Sequence, residues 1–137
     1  MIDYKQLFVD HMNEKGVRYT PLSLHSFQLL FGGENMDTIT VIVHFDEDGD
    51  NMITVFSMDI ANFRSNEANG IWVCNELNKS YRWVRFFIDD DADLVVACDA
   101  LIDETTCGEE CMDLVNRVVS IVDEAYIEIM KAKLNLD

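Results

Sequence analysis

Two β-branched runs, Thr38 to Phe45 and Met52 to Ile60, are separated only by the acidic stretch Asp46-Glu47-Asp48-Gly49-Asp50-Asn51. So short a connection can only reverse the chain, so the two runs form an antiparallel hairpin. The pattern repeats downstream. Arg82 to Ile88 and Leu94 to Leu101 flank a second acidic tip, Asp89-Asp90-Asp91-Ala92-Asp93. A further strand, Phe27 to Phe31, precedes the first hairpin, joined to it by the turn signal Gly32-Gly33-Glu34-Asn35. Between Val17 and Ser26 the chain reads as irregular or as a short extended piece broken at Pro21.

Helical periodicity fills the intervals. Tyr4, Leu7, Phe8 and Met12 share a stripe in a helix over Tyr4 to Lys15, with Gly16 as its stop. A second helix spans Ser65 to Lys79, with Ala68, Ile71, Trp72 and Asn75 on one side and Gly70 as a weak point. The last helix opens at Thr106-Cys107-Gly108-Glu109, a capping-box pattern in which Thr106 and Glu109 would satisfy each other's free amides. Its apolar stripe runs through Cys111, Leu114, Val115, Val118, Val122, Ala125, Tyr126 and Ile129. Asp113, Asn116, Arg117, Asp123, Glu124 and Glu128 take the polar side, and Lys131 and Lys133 sit at the favourable end of the helix dipole. The order α-β-β-β-α-β-β-α, with tips too short for crossovers, predicts an α+β fold of helices packed on an antiparallel sheet. Residues 1–137 read as a single domain, with no linker, repeat or low-complexity stretch.

Charge bounds the partners. Ten Lys and Arg stand against 26 Asp and Glu, a formal net charge of -16. Phosphate backbones and anionic membranes repel such a surface, so neither nucleic acid nor membrane is an expected partner. Basic proteins, basic peptides and divalent cations fit it. The same acidity also serves to keep an apolar surface in solution. The first ten residues lack a signal-peptide pattern, and no apolar run approaches the ~18 residues of a membrane span. The expected location is therefore cytoplasmic. Cys74, Cys98, Cys107 and Cys111 fit a reducing address and form neither a disulfide framework nor a paired zinc pattern.

No catalytic constellation emerges. The Asp46 tip mimics a calcium loop but has Gly at the fourth position, Asn51 at the sixth and Ser57 at the twelfth, between strands. Phe31-Gly32-Gly33-Glu34 lacks the lysine of a phosphate loop. No nucleophile elbow is present, and among the acids nothing singles out a pair. The expectation is a non-enzymatic chain with no cofactor.

The run Lys79-Ser80-Tyr81-Arg82-Trp83-Val84-Arg85-Phe86-Phe87 interleaves basic and aromatic residues. Strand alternation sets Trp83, Arg85 and Phe87 on one face and Val84, Phe86 and Ile88 on the other. In the partner strand Leu94, Val96, Cys98 and Ala100 alternate with Val95, Ala97, Asp99 and Leu101. Both faces of this hairpin are apolar, interrupted only by Arg85 and Asp99. One face covers the helices; the other, with Trp83, Arg85, Phe87, Val95, Asp99 and Leu101, needs a cover of its own. That cover is a further helix, a second copy or a client peptide, and this set is the candidate protein-binding or dimer surface. An enzyme or small-molecule binder with a pocket between sheet and helices is the alternative, and cation buffering by the acidic tips a third.

Asn69-Gly70-Ile71-Trp72-Val73-Cys74-Asn75-Glu76-Leu77-Asn78, then an aromatic strand, an acidic tip, a Val-rich strand and a helix bearing Val122-Asp123-Glu124-Ala125-Tyr126, resembles the YbjN family, linked by name to bacterial sensory transduction regulation. The matching details are Asn75 and Asn78 at a helix end, Asp123 and Tyr126 in the last helix, and the order of elements along nearly the whole chain. That family is similar in fold to class I type III secretion chaperones, which are small, acidic, usually dimeric and bind an extended client segment. The resemblance implies a protein-binding, regulatory or chaperone-like module, with a protein partner or a homodimer. It also implies structural roles for Asn75 and Asn78, capping the helix end or holding the next turn.

Overall fold

A computed structural model describes residues 1–135. Its elements run α1 (Tyr4–Lys15), β1 (Thr20–Pro21), β2 (Ser26–Gly32), β3 (Thr38–Phe45), β4 (Met52–Met58), α2 (Glu67–Ser80), β5 (Arg85–Ile88), β6 (Leu94–Leu101) and α3 (Cys107–Leu134). The six strands form one antiparallel sheet in the order β1-β2-β3-β4-β6-β5. The expected α+β architecture is present, and of the two readings of Val17 to Ser26 the short extended piece is the one that forms, as β1. β1 pairs Thr20 with Gln28 and Pro21 with Phe27. At two residues and ending on a proline it is an edge piece, and Pro can sit there because no outer partner needs its amide.

Period two sorts each strand. Phe27 and Leu29, Ile39, Val41, Val43 and Phe45, Ile53 and Val55, Phe86, and Leu94, Val96 and Cys98 are buried on the face that carries the helices. Phe8 and Met12 of α1, Val73, Cys74 and Leu77 of α2, and the α3 stripe Cys111, Val115, Val118, Val122, Ala125 and Ile129 fill the space above them. Phe8 and Phe27, their ring centroids 6.1 Å apart, meet edge to face. Helix α1 starts at Asp3, whose carboxylate accepts the Gln6 amide at 3.2 Å, and stops at Gly16 in the left-handed region (φ 70°).

Three local expectations change, and the buried side of α2 is decided. Strand β4 ends at Met58 because Asp59 has φ 61°. Helix α2 buries Gly70, Val73, Cys74 and Leu77, so Ala68, Ile71, Trp72 and Asn75 form its exposed side. Gly70 allows this packing: a Cβ there would lie 2.7 Å from Cγ of Phe63. The capping box at α3 does not form with Glu109. The Glu110 carboxylate instead accepts the Asp103 amide at 3.0 Å and the Thr106 hydroxyl. Finally, β5 begins at Arg85 rather than Arg82, because Trp83 turns the chain with φ 78°.

Long-range polar contacts lock the layers. The Asp123 carboxylate of α3 accepts the backbone amides of Glu34 (3.0 Å), Asn35 (2.9 Å) and Met36 (3.0 Å), and Asn35 Nδ2 donates to the Asp123 carbonyl at 3.1 Å. The β2–β3 turn is thus folded around one anion, which holds that carboxyl below its ordinary value. At the far end of α3, Asn66 and Asn69 of the α2 start donate to the carbonyls of Lys133 (2.7 Å) and Ala132 (3.2 Å). These satisfy acceptors that a helix end otherwise leaves free.

Candidate protein-binding face

All three helices lie on one side of the sheet, so the alternate residues of every strand form a second, open face. Register builds it in rows. Arg85 faces Ala97, Ala97 faces Phe56, Phe56 faces Ile42 and Ile42 faces Gln28. Beside this row run Phe87 opposite Val95 and Thr40 opposite both Met58 and Leu30. On the other side run Asp99, Thr54 and His44, and beyond them Leu101 opposite Met52. Leu101 is 69% exposed, Leu30 59%, Met52 45% and Phe87 37%, whereas Ile42, Val95 and Ala97 are buried by their neighbours.

The polar centre of this face is self-satisfied. Arg85 Nη1 donates to Asp99 Oδ2 at 2.7 Å, and the Thr54 hydroxyl donates to Asp99 Oδ1 at 2.6 Å. The Thr54 bond first, and Arg85 second, keep the Asp99 carboxyl below its ordinary value. The Arg85 guanidinium also lies 5.8 Å from the centre of the Phe87 ring. Both ion-pair partners remain more than half exposed, so the pair orders side chains rather than adding much stability.

Of the six residues in the candidate surface, Arg85, Phe87, Val95, Asp99 and Leu101 lie together on this face. Trp83 does not join them through the strand. Its positive φ takes it off the alternation, and its ring sits 5.7 Å from the guanidinium of Arg117 on α3, with 69% of the residue exposed. The face is wider than the β5–β6 hairpin suggested: β2, β3 and β4 add Leu30, Ile42, Met52, Phe56 and Met58. The alternation of Met52, Thr54, Phe56 and Met58 carries that signal in the sequence.

Next to Leu101 the face sinks into an open concavity of about 660 Å³. It is lined by Met52, Ile53, Thr54, Ala100 and Leu101, with His44 and Asp99, and by Asp46, Glu47 and Asp48 of the β3–β4 tip. Asp46 is bound into the tip, its Oδ2 accepting the amides of Asp48 and Asp50 at 3.1 Å.

The outer edge of β5 is closed from α2. Asn78 Oδ1 accepts the Phe86 amide at 2.7 Å and Asn78 Nδ2 donates to the Phe86 carbonyl at 3.0 Å. Asn78 therefore holds the strand that follows its helix, while Asn75 is exposed.

Of the two acidic tips, one draws its carboxylates together. Asp89, Asp91 and Asp93 bring carboxylate oxygens within 4.8 Å of one another, the one such group among the described residues. Those of Asp89 and Asp93 already accept hydrogen bonds that shape the tip, from the Asp91 and Asp93 amides and from Asn62 Nδ2. The four cysteines are buried and unpaired with one another in disulfides. Burial pushes the Cys74 thiol up to about 11, which keeps it protonated and unreactive. No helix of the described residues is long and apolar enough to cross a membrane.

Comparison with known proteins bears on the family and the fold. A family model, YbjN, described as "Putative bacterial sensory transduction regulator", matches residues 11–130. The fold is similar to the crystal structure of YbjN from E. coli, with a TM-score of 0.67 at 14% identity, covering 98% of this chain and 95% of that one. It is also similar to a chain in the structure of the Yersinia pestis type III secretion chaperone SycH in complex with a stable fragment of YscM2. There the TM-score is 0.51 at 11% identity, over 87% of this chain and 99% of the other. A chain of the heterodimeric ExoU–SpcU complex from the type III secretion system of Pseudomonas aeruginosa gives 0.54 at 14%, over 90% and 94%. No curated protein sequence matches. At such identities the structural likeness establishes the fold, and the family model establishes membership: the chain belongs to the YbjN family.

Proposed function

We propose that this chain works by binding another protein on the open face of its sheet, as a regulatory or chaperone-like module without a reaction of its own. The observation that carries this is the one-sided layering. Three helices cover one face, while Leu30, Met52, Phe87 and Leu101 stand exposed on the other, around buried Ile42, Val95 and Ala97. An apolar sheet face of this breadth is unfavourable in water unless a partner covers it part of the time. The complexes of SycH with a fragment of YscM2 and of ExoU with SpcU support a partner that is a protein segment, on a fold of this kind. The occupant we favour is a segment of a different protein; a second copy of this chain is the competing one. The acidic surface, at net -16, favours a basic partner over self-association, since two copies bring like charge together. We place the chain in the cytoplasm, as one domain.

The test is a comparison of captured partners. Tagged wild-type protein and the Phe87→Asp/Leu101→Asp double variant are recovered from the native host, and the co-purified proteins are quantified. A partner held by the wild type at least tenfold better than by the double variant supports the face. Equal recovery of the same partner refutes it. Light scattering of the purified protein over a range of concentrations separates the homodimer, which would form without any other protein.

A further inference from the structure

The concavity at the end of the open face differs from the rest of that face in its charge. Its apolar lining includes the exposed Met52 and Leu101, and its acidic lining includes Glu47 and Asp48. Among the described residues no Lys or Arg forms an ion pair with either acid; the three ion pairs present are Lys79–Glu76, Arg85–Asp99 and Lys131–Glu128. Asp99, also in the lining, is already engaged by Arg85 and Thr54. Lys5 and Met1 line a second depression behind the same tip without an ion pair to it, and His44 is the one basic side chain lining the concavity. The acids free of an ion pair are therefore those of the tip, and the open apolar surface lies within the same concavity.

A long cationic side chain fits both halves at once. Lys and Arg carry an aliphatic stem that lies along apolar surface and a charged head that stays at the rim. A hydrophobic side chain would cover the apolar lining but leave the acids without a partner. A free metal ion would meet the acids but leave the apolar lining bare. We propose that this concavity is the anchoring site for a Lys or Arg of the bound segment, with its stem on Met52 and Leu101 and its charge against Glu47 and Asp48. This rests on the reading of the open face as a protein-binding surface and specifies the partner: an extended segment in which a basic residue is flanked by large apolar ones. The apolar flanks lie toward Phe56, Val95 and Phe87, and the cation marks the end nearest the β3–β4 tip. Solvent-exposed ion pairs contribute about 0.2–1 kcal/mol each. Two of them correspond to roughly a two- to thirtyfold change in affinity.

The probe is a pair of amidated decapeptides, one alternating Leu with Arg and its twin alternating Leu with Gln, titrated into isotope-labelled protein at low salt and followed by amide chemical shifts. The inference predicts at least twofold tighter binding of the Arg peptide, with shifts at Glu47, Asp48, Thr54 and Leu101. It predicts loss of that preference in the Glu47→Gln/Asp48→Asn variant and none in Glu14→Gln/Asp113→Asn, which removes the same charge from helices of the other layer. Equal binding of both peptides across Phe87, Val95 and Leu30 overturns the anchoring site and leaves the open face standing as a binding surface. Equal loss of preference in the two charge variants overturns it as well, since net charge alone would then explain the preference. Shifts by neither peptide anywhere on the open face count against the anchoring site and the binding face together.

Discussion

Asp123 shows how one side chain can organise a distant turn. Its carboxylate collects three amides from Glu34, Asn35 and Met36, so the β2–β3 connection is shaped by α3 rather than by its own sequence. Gly33 is the glycine this requires, because a Cβ there would meet the Asp123 carboxylate and lie 2.5 Å from the Met36 carbonyl oxygen. Gly33→Ala is expected to destabilise by about 1–3 kcal/mol in chemical denaturation, as overpacking against backbone does. Asp123→Asn should lower the Tm, and the double variant should lose less than the two singles added, since they disturb one contact. The pH sign follows from the carboxyl being held below its ordinary value of 3.8. Its contribution is whole above that value and is lost as pH falls through the lower value of the folded state. A Tm series from pH 6 to pH 2 should therefore converge for wild type and Asp123→Asn at the acid end. From periodicity Asp123 was legible only as a polar-face residue. Its partners are some 90 positions away, and only the family resemblance marked it.

At the scale of elements, periodicity gave the strands and the helices and misplaced what depends on single backbone angles or on the third dimension. β5 loses its first three residues to the positive φ of Trp83, a conformation that non-glycine residues seldom adopt and that no side-chain pattern announces. Which side of α2 is buried depends on packing that periodicity does not show. Ile71 and Trp72 are its largest apolar residues, yet packing on Phe63 demands Gly70 at the contact, which turns both to solvent. Asn78 then seals the edge of β5 by taking the amide and carbonyl of Phe86. An edge strand with free backbone groups invites pairing with other chains. Asn78→Ala should cost about 1–3 kcal/mol, the loss expected when paired backbone groups are left without partners. Hydrogen exchange should report it as faster exchange of the Phe86 amide, by a larger factor than at the β3 amides, which follow only the loss of global stability.

For the molecule as a whole, the one-sided sheet is the fact from which function is argued. The sequence made the apolar outer face of the β5–β6 hairpin visible, but its extension over β4, β3 and β2 required the register. That register puts five of the six candidate residues on a single surface and removes Trp83 from it. Because Leu101 is exposed and Phe87 partly so, replacing both with Asp should destabilise by only about 1–3 kcal/mol and leave the protein folded, while abolishing partner capture. Ile71→Asp/Trp72→Asp on α2 is the matched control, removing as much exposed apolar surface from the opposite layer, and should leave capture intact. The most direct measurement is oxidative footprinting of the protein alone and with its captured partner, read at these same side chains. Binding on the open face should protect Met52, Phe87 and Leu101 in the complex, with Ile71 and Trp72 labelled as before. Protection of Ile71 and Trp72, with Met52, Phe87 and Leu101 still labelled, would contradict it.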